Sequence, residues 1–405
     1  MARRPFLIVL TTTYPRWQGD SEPAFVHYLS RELARWFDVL VLAPHTGGSQ
    51  THEIIDGVEI RRFHYLPTRW QRLAYDGGIV PKLRRDPRLA WQIPFFFGAM
   101  LWALLRASHA RRPDVLHAHW LFPPGLLAIL ARKFAARGAR VVATSHGADL
   151  YALNGPGLRA VKRFVMSRSD AVTVVSRPMA EYCRDVLGVT RPITVRSMGI
   201  DTRETFRIET PVESRSGVVF VGRLVEKKGC ATLIEAFADV ARERPGLELT
   251  IVGDGPERDG LVEQTGRLGI EHCVTFAGAV SPSQVAAFFN AAAVAVMPSI
   301  VAGGGDREGL GLVAAEALAC GCITITSDIE PVRDVHDCDA LKFPPGDAKA
   351  LARCLAFALA GDSEAARLSE AMRLRVVEHF DWQVVGRDYA RVLAGEALAA
   401  ELPSR

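Results

Sequence analysis

Near-continuous Val, Ile and Leu runs alternate with helix-like stretches along almost the whole of this 405-residue chain. The strand candidates in the first half are 6–12, 39–43, 58–64, 114–118, 140–144, 171–175 and 193–197; those in the second half are 218–221, 248–252, 274–277, 294–297 and 323–326. Amphipathic patterns at 24–37, 231–244 and 282–292 lie between them. Strands apolar on both faces need helices covering both faces, so the chain is α/β with parallel sheets. The stretch "GIDTRETFRIETPVESRSG", residues 199–217, is polar, holds Pro211 and lacks apolar periodicity. It reads as a linker, giving a first domain at 1–200, a linker at 201–216, a second domain at 217–375 and a C-terminal helix at 376–405 packing back toward the first domain. Two such sheets hold ligands beyond the carboxyl ends of their strands, which places the expected site in the cleft between the domains.

The net charge of +4 conceals a split, with residues 1–200 at +14 and the remainder at −10. A basic first half suits an anionic partner: a phosphate-bearing lipid or a membrane surface. No groove-reading motif accompanies the charge, so nucleic acid is not expected. Hydrophobic residues at 49% and charged residues at 23% fit a soluble globular protein. All seven cysteines lie from Cys183 onward without a C-x-x-C pair, which points to reduced thiols and a cytoplasmic location. The apolar run at 6–10 is too short for a signal core and reads as the first strand.

The strand ends carry the chemistry. "VVFVGRLVEKKG", residues 218–229, places Gly222, Arg223 and Lys228 between a buried strand and a helix start. Two cations and free backbone N–H groups can hold a diphosphate, although a solvated basic loop has the same composition. "ELTIVGDGPERDG", residues 248–260, is a turn-and-cap sequence. "GGGDREGLGLVAAEALACG", residues 303–321, predicts a helix starting near 309–312, running to Ala319 and ending at Gly321. Glu308 then stands before the helix and Glu316 about two turns on. Two acids beside a diphosphate site could accept hydrogen bonds from hydroxyls, and a nucleotide sugar combines both chemistries. The plain alternative makes Glu308 a helix-start acid and Glu316 a surface residue.

In the first half His117 and His119 share a strand face, and His146 sits in Ser-His-Gly at another strand end. Those histidines with Asp149 could bind zinc, but the rest of a metal cluster is missing from the sequence. Strand-end histidines that hydrogen-bond substrate are the other reading, and His117 reads best as a structural histidine. "DCD" at 337–339 has a metal-binding form, yet lies in a polar loop and reads as solvated acids.

Together "REGLGLVAAEALACG" with its E-x7-E spacing, "VGRLVEKKG" and "TSHGAD" resemble the retaining GT-B glycosyltransferases of family 4, the group 1 glycosyl transferases. The resemblance spans nearly the whole chain. It implies two doubly wound Rossmann-like domains facing across a cleft, and metal-independent, cofactor-free sugar transfer from a nucleotide-diphosphate donor with retention. It implies further that Arg223 and Lys228 bind the diphosphate and Glu316 the ribose hydroxyls. By the same resemblance Glu308 contacts the donor sugar, Gly309 and Leu310 belong to the donor loop, and His146 hydrogen-bonds the sugar. Gly19 would offer a backbone N–H to phosphate, but Gly19-Asp20 stands where the family commonly has two glycines.

Residues 61–112 hold eleven basic residues against Asp76 and Asp86, and the run from 89 to 105 is uncharged. Seventeen residues is the lower bound for a membrane span, so spanning, a buried helix and an interfacial surface are all open. With Arg84, Arg85 and Arg88 alongside, the segment reads as a basic, apolar acceptor face. It would dock an anionic membrane or a lipid-linked or saccharide acceptor, placing the enzyme peripherally on the inner face of a membrane. A metal hydrolase using His117, His119 and His146, and a nucleotide-sugar binding or epimerising protein, remain as alternatives.

Overall fold

The computed structural model describes residues 3–20, 22, 24–75, 77–151, 155–303, 308, 310–360 and 363–399. The chain forms two compact units, Met1–Met198 with Trp382–Arg405, and Gly199–Asp381.

The first unit holds strands β1 (Phe6–Leu10), β2 (Asp38–Pro44), β3 (His52–Ile55), β4 (Val58–Phe63), β5 (Val115–His119), β6 (Arg140–Ser145), β7 (Ala171–Val174) and β8 (Thr194–Val195). Their order across the sheet is β3-β4-β2-β1-β5-β6-β7-β8. Every described pairing is parallel except β3 with β4. That antiparallel edge corrects the all-parallel expectation. Its signal is Asp56-Gly57, whose φ values of 48° and 78° form the tight turn of a two-residue hairpin. Leu7, Ile8 and Val9 are all fully buried, as a strand covered on both faces requires. The strand order reverses between β1 and β5; His119 ends β5, and Gly19 and Trp120 lie in the loops that follow these two strands.

Helix Trp382–Ala399 belongs to this unit. It packs on helix Phe25–Leu33 so closely that a Cβ at Gly386 would stand 2.6 Å from Glu32 Cβ. The fully buried Tyr389 hydroxyl donates to the Arg196 carbonyl at 2.9 Å.

The second unit holds β9 (Val218–Val221), β10 (Leu249–Val252), β11 (Val274–Gly278), β12 (Val294–Met297), β13 (Ile323–Ser327) and β14 (Lys342–Phe343), ordered β11-β10-β9-β12-β13-β14. All the described pairings are parallel. The switch point lies between β9 and β12, the place where such a sheet opens a crevice.

The polar segment 199–217 is not a free linker. Arg215 is buried and donates to the Cys320 carbonyl at 2.7 Å, the Thr210 carbonyl at 2.6 Å and Asn290 Oδ1 at 3.1 Å. The Ile200 N–H donates to the Phe380 carbonyl at 2.8 Å, and the Thr202 hydroxyl to Asp381 at 2.7 Å. The segment's polar side chains are fasteners to the second unit, which is why it lacks an apolar period.

Candidate active site

Three loops meet at the β9–β12 switch point. Gly222 N–H donates to the Val252 carbonyl at 2.9 Å, and Leu224 N–H to the Asp254 carbonyl at 3.0 Å. These bonds knit the loop after β9 to the loop after β10. A Cβ at Gly253 would fall 1.9 Å from the Gly222 carbonyl oxygen, and one at Gly255 2.2 Å from that of Leu224. The two glycines are therefore demanded by backbone approach as well as by the turn. On the other side, Ile300 N–H donates to the Lys227 carbonyl at 2.9 Å, and Gly303 N–H to Glu226 at 3.0 Å.

This scaffold fixes Lys228. Its stem runs along Gly222, with Cδ 3.7 Å from where a Cβ would be. Its ammonium donates to Glu308 at 2.5 Å, with both side chains about four-fifths enclosed. Lys228, Ser299, Glu308, Gly311 and Val313 line a small pocket floored by Phe220 and Val332. Arg223 is exposed next to Gly222. Helix Leu312–Ala319 starts beside Glu308, capped by Gly311 in the left-handed region at φ 79°. No described side chain caps it; Ala314 N–H donates to the Gly311 carbonyl at 2.9 Å, and the N–H groups before it in the first turn can meet an anion.

Glu316 lies on this helix among Ala314, Ala315 and Ala317, all buried. Burial pushes its carboxyl up to about 8, against the opposing pull of the Lys228 charge. It makes no hydrogen bond or ion pair among the described residues. A half-buried acid without a partner, beside a cation, is the strongest sign of a ligand in this unit. The structure thus brings Lys228, Glu308 and Glu316 together, with Arg223 at the edge. Gly309 lies outside the described residues. Leu310 is buried, so its side chain serves the core.

The first unit has its own strand-end group. The His119 and His146 rings stack in parallel 5.1 Å apart, with His119 Nδ1 and His146 Nε2 sharing a hydrogen bond of 2.9 Å. Phe25 and Trp120 pack against His146 at 4.7 and 5.2 Å between ring centres. Burial pulls His146 down to about 3 and His119 well below its usual value, so both are neutral at physiological pH. Asp149 holds the two strand ends together, accepting from Leu121 N–H and from the Ser145 hydroxyl at 2.7 Å each. His117 is tied to Thr144 at 2.7 Å, a structural role. Among the described residues no three His, Cys, Asp or Glu form a group able to hold a metal ion.

Gly19 needs its glycine for φ 80° alone, since a Cβ there would meet nothing within 4 Å. Beside it, burial disfavours the charge on Asp20, but Arg16 outweighs this, binding it through Nε at 2.8 Å and Nη2 at 2.6 Å. The Asp20 carboxylate is thus engaged locally. Asp337 and Asp339 of "DCD" pair with Arg375 and Lys342. Arg84, Arg85 and Arg88 are exposed on the first unit. Ser299, Phe25 and Trp120 escaped sequence reading. Phe25 lay within the amphipathic pattern at 24–37, and Trp120 next to His119.

Comparison with known proteins decides the family. The family described as glycosyl transferases group 1 matches residues 201–375, and glycosyltransferase family 4 matches residues 24–204. The chain is 30% identical over 301 residues to a GDP-mannose-dependent alpha-(1-6)-phosphatidylinositol monomannoside mannosyltransferase of Mycolicibacterium smegmatis, covering 69% of this chain and 76% of that protein. The chain belongs to the group 1, family 4 glycosyltransferases. This glycosyltransferase is also 29% identical over 414 residues to glycogen synthase of Mycobacterium tuberculosis, covering 95% of this chain and 94% of the relative. Its fold is GT-B. Sucrose-phosphate synthase from Thermosynechococcus elongatus superposes with a TM-score of 0.74 at 22% identity, over 96% of this chain and 98% of that one.

Proposed function

We propose that the enzyme moves a sugar from a nucleotide-diphosphate donor to a lipid-linked or saccharide acceptor, with retention and without a metal, in bacterial cell-surface polysaccharide or glycolipid synthesis. The observation that carries this reading is the trio Lys228, Glu308 and Glu316 at the switch point of the second sheet, with the Glu316 carboxyl unpartnered among the described residues. Lys228 and Arg223 neutralise the diphosphate, joined by the N–H groups that open helix Leu312–Ala319. Glu316 accepts from the ribose hydroxyls and Glu308 from the sugar hydroxyls.

The bond from the anomeric carbon to phosphate breaks as the bond to the acceptor oxygen forms on the same face. The acceptor proton passes to the departing phosphate oxygen. Charge builds on that phosphate, so Lys228 and the helix N–H groups supply the main electrostatic stabilisation. The neutral His146, framed by Phe25 and Trp120, offers a hydrogen bond to a hydroxyl, and we assign the first unit to the acceptor. The names of two relatives support this reading: one is GDP-mannose-dependent and acts on a phosphatidylinositol mannoside, the other makes glycogen.

Thermal melts with UDP-, GDP- and ADP-sugars test the donor. One family of donors should raise the melting temperature, because it binds only the folded chain. A protein stabilised by none of them would not be a nucleotide-sugar enzyme, and stabilisation with no transfer to any acceptor would favour a binding or epimerising protein.

A further inference from the structure

Helix Ile93–Ala110 is apolar on two opposite faces. One face, with Phe96, Met100, Leu104 and Ala107, is buried in the core of the first unit. The other carries Phe95 and Trp102, 52% and 67% exposed, and continues into Trp91 of the preceding turn, 49% exposed. Pro94 and Gly98, also exposed, lie between them. Positions 91, 95, 98 and 102 follow the helical period, so the rings form one continuous stripe. Trp91 meets Phe95 edge-on at 5.9 Å. The segment Pro87–Ala110 has the length and mean hydropathy, 1.3, of a membrane span, yet only 22% of its apolar window is buried. Its inner face is committed to the core, so the helix is held in place and its outer face is left uncovered. Soluble proteins seldom leave such a row of aromatic rings in water without a use for it.

The charge around the stripe selects what covers it. Arg84, Arg85 and Arg88 are exposed just before it, and Arg106 is exposed one turn beyond Trp102 on the same face. None of these four makes an ion pair or side-chain hydrogen bond among the described residues. Asp86 is the sole acid in residues 79–110, and it accepts from the Arg88 backbone N–H at 3.1 Å. A second copy of this face would set arginines against arginines, which repel. Headgroup phosphates above hydrocarbon complement both the arginines and the rings.

We propose that this helix docks in the plane of an anionic bilayer, with Trp91, Phe95 and Trp102 at headgroup level and Arg84, Arg85 and Arg88 on lipid phosphates. It uses residues separate from the donor site and stands whether or not that reading holds.

Flotation of the full-length protein with vesicles of phosphatidylcholine, alone or with about one third phosphatidylglycerol, tests it. The protein should float with the anionic vesicles and stay in solution with the neutral ones. Phe95→Ser with Trp102→Ser should weaken partition at least about tenfold. Each of Arg84→Gln, Arg85→Gln and Arg88→Gln should weaken it about fivefold. All these side chains are exposed, and unchanged melting curves will show that the variants fold. The proposal is overturned if the wild type stays in solution with both vesicles, or if the double serine variant floats as well as the wild type. It is equally overturned if the wild type is a dimer that the serine variant dissociates.

Discussion

Lys228 stands between two acids that differ in state. Glu308 is its ion-pair partner at 2.5 Å, while the Glu316 carboxyl makes no hydrogen bond among the described residues and is pushed up to about 8 by burial. In the proposed reaction an arriving diphosphate would compete with Glu308 for the ammonium. Glu316 must be ionised to accept from two ribose hydroxyls. Below about pH 8 the free protein holds that proton, so donor binding must release it. Nucleotide affinity should therefore tighten as pH rises toward about 8, with proton release seen by calorimetry in buffers of different ionisation enthalpy. Glu316→Gln should bind more weakly and lose this pH dependence. An identical pH profile in the variant would remove Glu316 from the ribose.

At the scale of elements, the site depends on loops that touch through their backbones. Gly229 has φ 63°, and a Cβ there would lie 1.9 Å from the Pro298 carbonyl oxygen. The loops after β9 and β12 can be joined only because that atom is missing. Gly229→Ala should cost on the order of 3 kcal/mol in urea unfolding, and donor binding should fall with it. A loss below about 1 kcal/mol would mean that the loops tolerate separation. Helix Leu312–Ala319 was legible in the sequence because its glycines, apolar run and two acids are local signals. The stacking of His119 on His146 was not, because it joins residues 27 apart in the chain. Nor was the local capture of Asp20 by Arg16, which four residues of spacing in a loop do not announce. β14, two residues long, left no run to read.

For the whole molecule, two sheets in doubly wound order were legible, because strands buried on both faces leave a continuous apolar trace. The anchoring of the segment between them was not. Residues 199–217 are polar because Arg215 and its partners fasten them to the second unit, and composition alone cannot tell a fastener from a linker. The outer face of helix Ile93–Ala110 was ambiguous for a similar reason. Core helices and lipid-docking helices use the same side chains, and the exposure of Trp91, Phe95 and Trp102 shows only that this face is outside the core. The charge split, +14 in residues 1–200 and −10 beyond, leaves the donor site as a local cationic point in an acidic unit. Catalysis is therefore assigned to placed groups rather than to the general field.

Turnover of the Lys228→Ala variant at saturating donor tests the central claim most directly. Loss of one preorganised donor to the leaving phosphate should lower it on the order of a hundredfold, with the fold intact by melting. Turnover equal to that of the wild type would contradict the claim that Lys228 stabilises the departing diphosphate.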